Sequence, residues 1–144
     1  MWSDNLAVCG WPTTVVVIDF ETYFDTEYSL AKMPEHAYVN DARFEFTAVG
    51  VAILRGDEEE HLYVPGPQVE EFVTTELPER VGGWDSVTVV TQYVPFDGTI
   101  LKKLGIHPPY ILDLKYLSNH YEARGSSRLA DIATRLKLAS GEKG

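Results

Sequence analysis

The sequence predicts an α/β fold in which a mixed sheet of about five strands, the first three antiparallel, is flanked by helices. Three features carry that expectation. An apolar β-branched run at residues 15–18 leads directly into two carboxylates, Asp19 and Glu21. Two further runs, residues 46–54 and 61–64, flank a polar segment suited to a hairpin. Beyond them strand-like and helix-like periods alternate, giving the order β-β-β-α-β-α-β-α-α, and crossover helices of that kind pack against a partly parallel sheet.

Each element has a local reason. Four consecutive Val and Ile residues at 15–18 fit a strand buried on both faces. Asp19 takes its last position, Glu21 lies just beyond, and alternation puts both on one side. Two like charges buried side by side are costly without a cation between them. The next stretch, with Tyr23, Phe24, Tyr28 and Tyr38 and broken by Pro34, reads as a loop with short helical pieces. Residues 55–60 form the hairpin connection around Gly56, and its acids, Asp57 to Glu60, read as a solvated tip rather than a cation site. Pro67 opens a helix whose apolar face is Val69, Phe72, Val73 and Leu77, and Pro78 ends the pattern. Residues 87–91 are a second buried-strand candidate, followed by Asp97 and a helical stripe of Phe96, Ile100, Leu101 and Leu104. A short strand at 110–112 reaches Asp113, and a helix runs from there to about Asn119. Ser126 and Ser127 cap a last amphipathic helix bearing Leu129, Ile132, Ala133 and Leu136.

A chain of 144 residues is one domain, spanning 1–144. Its single cysteine, Cys9, has no partner for a disulfide and no second thiol for zinc, which suits a reducing cytoplasm. No run is long enough to span a bilayer and the start lacks signal-peptide character, so a soluble protein without a membrane partner is expected. The net charge of -10 argues against gripping long nucleic acid through a basic face. The charge is uneven, however: residues 1–100 hold 4 Lys/Arg against 18 Asp/Glu, and residues 101–144 hold 8 against 4. A basic tail third can therefore meet an anionic ligand while the acid sits elsewhere. An acidic mimic of nucleic acid is the weaker reading, because the notable acids are tied to strand ends.

In open α/β sheets ligands bind beyond the carboxyl ends of strands, where Asp19, Glu21, Asp97 and Asp113 all fall. Hard oxygen ligands without nearby His or Cys select Mg²⁺ or Mn²⁺. Two such ions suit hydrolysis of a phosphodiester. A single Asp at a strand end is more often a cap or turn former; the Asp19/Glu21 pair is what lifts the metal reading. A phosphatase-type motif is half present in Asp97-Gly98-Thr99, but Pro95 stands where its nucleophile belongs.

These motifs resemble the DEDD (DnaQ-like, ribonuclease H-like) superfamily of 3'-5' exonucleases, closest to the proofreading domain of bacteriophage family A DNA polymerases. The similar stretches are Asp19-Phe20-Glu21-Thr22-Tyr23, Tyr28-Ser29-Leu30, Asp41-Ala42-Arg43-Phe44-Glu45, Phe96-Asp97-Gly98-Thr99-Ile100-Leu101, Leu112-Asp113-Leu114 and Leu129-Ala130-Asp131-Ile132-Ala133, spanning nearly the whole chain in the family's order. The resemblance implies a ribonuclease H-like sheet and a two-ion Mg²⁺ or Mn²⁺ site held by Asp19, Glu21 and Asp97. It also implies a single-stranded DNA 3' end as substrate, with Thr22 against the terminal nucleotide and Phe96 beside the scissile end. Asp113 matches an Asp that is not a metal ligand in the family. A phage-encoded protein of this kind would work in the host cytoplasm.

Two departures from the family pattern stand out. Gln92-Tyr93 replaces an Asn-containing pair before the second-motif Asp, which leaves Tyr93 to stack on a base instead. The third motif, Tyr-x3-Asp or His-x4-Asp on a final helix, has no counterpart, and the expectation is a C-terminally truncated domain. His36 and Asp41 satisfy His-x4-Asp only in the wrong region. Asp131 reads as a helix-dipole partner. The site is then completed by a DNA polymerase chain or a C-terminal segment, or else the fold serves a polymerase as an accessory module.

Overall fold

The computed structural model describes residues 2–121. The chain runs through α1 (Trp2–Val8), β1 (Thr14–Thr22), α2 (Glu35–Val39), β2 (Phe46–Arg55), β3 (Glu58–Pro65), α3 (Gly66–Glu71), α4 (Leu77–Val81), β4 (Thr88–Thr91), α5 (Val94–Lys103), β5 (Ile111–Asp113) and α6 (Leu114–Tyr121). The expected helix at Leu129 to Leu136, its caps Ser126 and Ser127, and Asp131 lie outside the described residues.

The five strands form one mixed sheet in the order β3-β2-β1-β4-β5. β1 to β3 are antiparallel neighbours, as expected for the first three strands. β4 and β5 join in parallel through the crossover helices. The core lies on the face of Val16, Ile18 and Phe20 from β1 and Val49, Val51 and Ile53 from β2, against which Val69, Val73, Leu77, Ile100 and Leu101 pack. Among the described residues no helix is long and apolar enough to cross a membrane.

Four expectations are corrected. β1 is covered on both faces only along the run 15–18, where Val15, Val16 and Ile18 are buried and Val17 is half-buried; further on Phe20 is buried while Asp19 and Glu21 on the other face are exposed. β1 also runs on to Thr22, so both acids lie within the strand. The reason is pairing with β2, which continues through Asp19 opposite Gly50 and Glu21 opposite Ala48. Only the parallel ladder to β4 stops early, at Val17. Thus the acids lie past the end of one ladder and inside the other.

The hairpin connection is tighter than a six-residue loop. Arg55 pairs with Glu58, leaving Gly56 and Asp57 as the turn, with Gly56 at a φ of 59° that favours glycine. Glu58 to Glu60 join the edge strand, where charge is tolerated and discourages pairing with other chains.

Pro78 does not end its helix. Between α3 and α4 the chain makes a π-turn (Phe72–Glu76), in which the Leu77 amide reaches back five residues to the Phe72 carbonyl. The wider turn accommodates a proline that lacks an N–H and would crowd the preceding turn of an α-helix. The stop comes at Gly82, whose φ of 83° is left-handed. The start of the chain, read from sequence only as lacking a signal peptide, forms α1.

Between β1 and β2 the tyrosines fold the connection. The rings of Tyr28 and Tyr38, both fully buried, stack with centroids 4.4 Å apart. The Tyr28 hydroxyl donates to the Tyr38 carbonyl at 2.6 Å, and the Asp25 carboxylate accepts the amides of Glu27 and Tyr28. A buried phenol needs such a partner, and these bonds hold the segment against the carboxyl end of β1.

Candidate functional site

Asp97 is the centre of the site. It sits in the first turn of α5, 2% exposed, at the place where β1 and β4 part company. The Phe20 amide, beyond the ladder to β4, is taken up by the Asp97 carboxylate, and Oδ2 also accepts the Tyr93 amide at a long 3.5 Å. Oδ1 is buried with no protein partner. Burial, opposed by the amide hydrogen bonds and reinforced by the charges of Asp19 and Asp113, pushes the Asp97 carboxyl up to about 7. Asp19 is held above its usual range by partial burial and then by the Glu21 charge. Asp19 therefore lies electrostatically between Glu21 and Asp97.

A lone oxygen of a buried carboxylate next to a second carboxylate suits a hard cation, which supplies the missing ligand and the compensating charge at once. Among the described residues, however, no three acid, His or Cys side chains stand together closely enough to hold a metal. The donor set thus fits a cation at Asp97 and Asp19 and is short of the full coordination shell two ions need.

Glu21, Thr22 and Phe96 meet in a cleft of about 460 Å³ at the end of β1, lined also by Phe24, Leu30 and Tyr38. A register shift between Glu21 and Thr22 turns the strand end toward it. The Thr22 hydroxyl shares a 2.8 Å hydrogen bond with the Tyr38 hydroxyl, which donates to the Tyr23 carbonyl. Tyr38, Phe24 and Leu30 were not foreseen as site residues, because they fall in loops or a single helical turn too short to show a period. Asp19 opens instead on a shallow depression lined by Val17, Gly50 and Tyr63.

Tyr93 is not in the cleft. Its hydroxyl bonds Glu35 of α2, and the Lys115 ammonium lies 4.4 Å from its ring centroid. Partial burial, followed by the charge and hydrogen bond of Glu35, holds its phenol above the ordinary range. Asp113 uses both oxygens on the chain: Oδ2 accepts the Val94 amide at 2.9 Å and Oδ1 the Tyr116 amide at 2.8 Å. It caps the starts of α5 and α6 together. In comparisons with known proteins, no protein-family model and no curated protein matches the chain.

Proposed function

We propose that this domain is a metal-dependent 3'-5' exonuclease of ribonuclease H-like fold, removing nucleotides from single-stranded DNA 3' ends in a proofreading role. The observation that carries the reading is the buried Asp97 with its unpartnered oxygen beside Asp19, at the carboxyl ends of β1 and β4. The mixed sheet with three antiparallel strands followed by two parallel ones supports it. So does the cleft that joins Glu21 to Thr22 and Phe96.

Asp19, Glu21 and Asp97 would hold Mg²⁺ or Mn²⁺. Such ions, when bound, activate water and stabilise the oxygen leaving phosphorus. Thr22, steadied by Tyr38, offers a hydroxyl to the terminal sugar, and Phe96, Phe24 and Leu30 give the terminal base an apolar seat. Tyr93 acts on this site through the backbone, since its amide is one of the two that Asp97 accepts.

The absence of a three-ligand group among the described residues favours a second reading. In it the domain is an incomplete exonuclease fold that a DNA polymerase uses as an interaction module, or that a polymerase chain completes. One experiment separates the two. A 3'-labelled single strand is incubated with the protein and Mn²⁺, with EDTA, and with Asp19→Ala and Asp97→Ala variants. The enzyme reading expects metal-dependent trimming that falls by roughly 10²-fold or more in either variant. Equal, negligible trimming in every tube, with or without a polymerase, sinks it.

A further inference from the structure

A second cleft, of about 340 Å³, lies between α2 and α5 and is lined by His36, Asn40, Thr99, Lys102 and Lys103. No acid lines it. The first 100 residues, by contrast, carry 18 Asp/Glu and only 4 Lys/Arg. Two cations elsewhere are neutralised, Arg43 by Asp41 and Arg80 by Glu60. Among the described residues no carboxylate lies within ion-pair reach of Lys102 or Lys103. Of the two acids that flank the cleft residues in sequence, Glu35 is bonded to the Tyr93 hydroxyl and Asp41 is paired with Arg43.

The cleft is also partly built. Lys103 Nζ donates to the Val39 carbonyl at 2.7 Å and lies 4.4 Å from the Phe44 ring centroid, which fixes the ammonium without cancelling its charge. One Asn40 amide hydrogen is held by the His36 carbonyl, leaving the other as a donor. The Thr99 hydroxyl donates to the Pro95 carbonyl. One fixed ammonium, a second that is exposed, and a free amide donor beside them suit a phosphate.

From this arrangement we infer that the α2/α5 cleft binds a backbone phosphate of the single strand whose 3' end enters the Glu21–Thr22–Phe96 cleft. Both clefts share the same two elements: Tyr38 and Phe96 face one, and His36, Asn40, Thr99 and the lysines face the other. From Phe96 to Lys103 is roughly 10 Å along the axis of α5, a span that a single strand crosses in a few nucleotides. The choice of nucleic acid rests on the exonuclease reading; the phosphate chemistry rests on the cleft.

The test uses the whole protein in EDTA, with inorganic phosphate, a thymidine dinucleotide and a longer oligothymidylate as probes. Affinity is read by titration and the site by the amide resonances of His36, Thr99 and Lys102. Phosphate should move those resonances, and the oligothymidylate should bind more tightly than phosphate. Lys102→Glu should weaken oligothymidylate binding roughly tenfold at low salt, Lys102→Ala should reduce the salt slope by about 0.7, and Lys102→Arg should restore both. Lys102 is exposed and holds no structural bond, so these variants fold. Unmoved resonances, or a Lys102→Glu variant that binds as tightly as the parent, overturn the inference. Phosphate binding as tightly as the oligothymidylate also overturns it, making the cleft a site for the free anion. Since cleavage plays no part in EDTA, a protein that never trims DNA but loses affinity on Lys102→Glu upholds this cleft while the exonuclease reading fails.

Discussion

Asp97 shows what a buried carboxyl costs a fold. Its carboxyl titrates near 7 in the fold, against about 3.9 in an unfolded chain. Between those values the folded state holds a proton that the unfolded state has lost, so stability is full below about pH 4 and declines as pH rises toward 7. The decline amounts to a few kcal/mol. We expect denaturant unfolding in EDTA to show the parent less stable at about pH 8 than at about pH 5. Asp97→Asn should flatten that difference, and a parent that is equally stable at both pH values contradicts the burial described. Tyr38 is a second test at this scale. Tyr38→Phe removes the donor to the Tyr23 carbonyl and the partner of Thr22, and should lower stability by about 1–2 kcal/mol in the same assay.

At the scale of elements, two glycines bracket the helix α3–α4 for different reasons. A Cβ on Gly66 would stand 2.2 Å from the Phe46 carbonyl oxygen, where α3 leaves β3 against the start of β2. Backbone cannot move aside cheaply, so Gly66→Ala should cost about 3 kcal/mol. At Gly82 a Cβ meets only Ser86, at 4.0 Å, and the cost is the left-handed φ alone. Gly82→Ala should therefore lose about 1–2 kcal/mol, and thermal unfolding that ranks the two variants the other way would refute this account. The same helix explains why its end was misplaced from sequence. Pro78 is a stop signal in an α-helix, and nothing in residues 72–76 announces a π-turn that removes the conflict.

For the molecule as a whole, the metal reading predicts that folding is sensitive to cations through Asp97 and Asp19. A cation that binds only the folded state raises stability by mass action. We expect Mn²⁺ to raise the melting temperature of the parent above pH 7, where Asp97 is ionised, and to leave Asp97→Asn unmoved. An equal shift in both would place the ion elsewhere, for instance on the acidic edge strand at Glu58 to Glu60. Proton and cation compete for the same oxygen, so the effect should fade as pH falls through 7.

The sequence by itself determined the sheet, its hairpin, the crossover helices and the acids late in β1 and in the first turn of α5, because runs of Val and Ile, turn glycines and helical stripes are local signals. It also supplied the reading of Asp113 as a residue apart from the metal ligands, and the structure shows both its oxygens on backbone amides. Only the tertiary structure decided which face of β1 is covered, that Thr22 and Phe96 share a cleft while Tyr93 turns to Glu35, and that one oxygen of Asp97 is left without a partner. Those outcomes depend on residues far apart in the chain meeting at one point, where burial and neighbouring charge are set. No run of adjacent residues records that meeting.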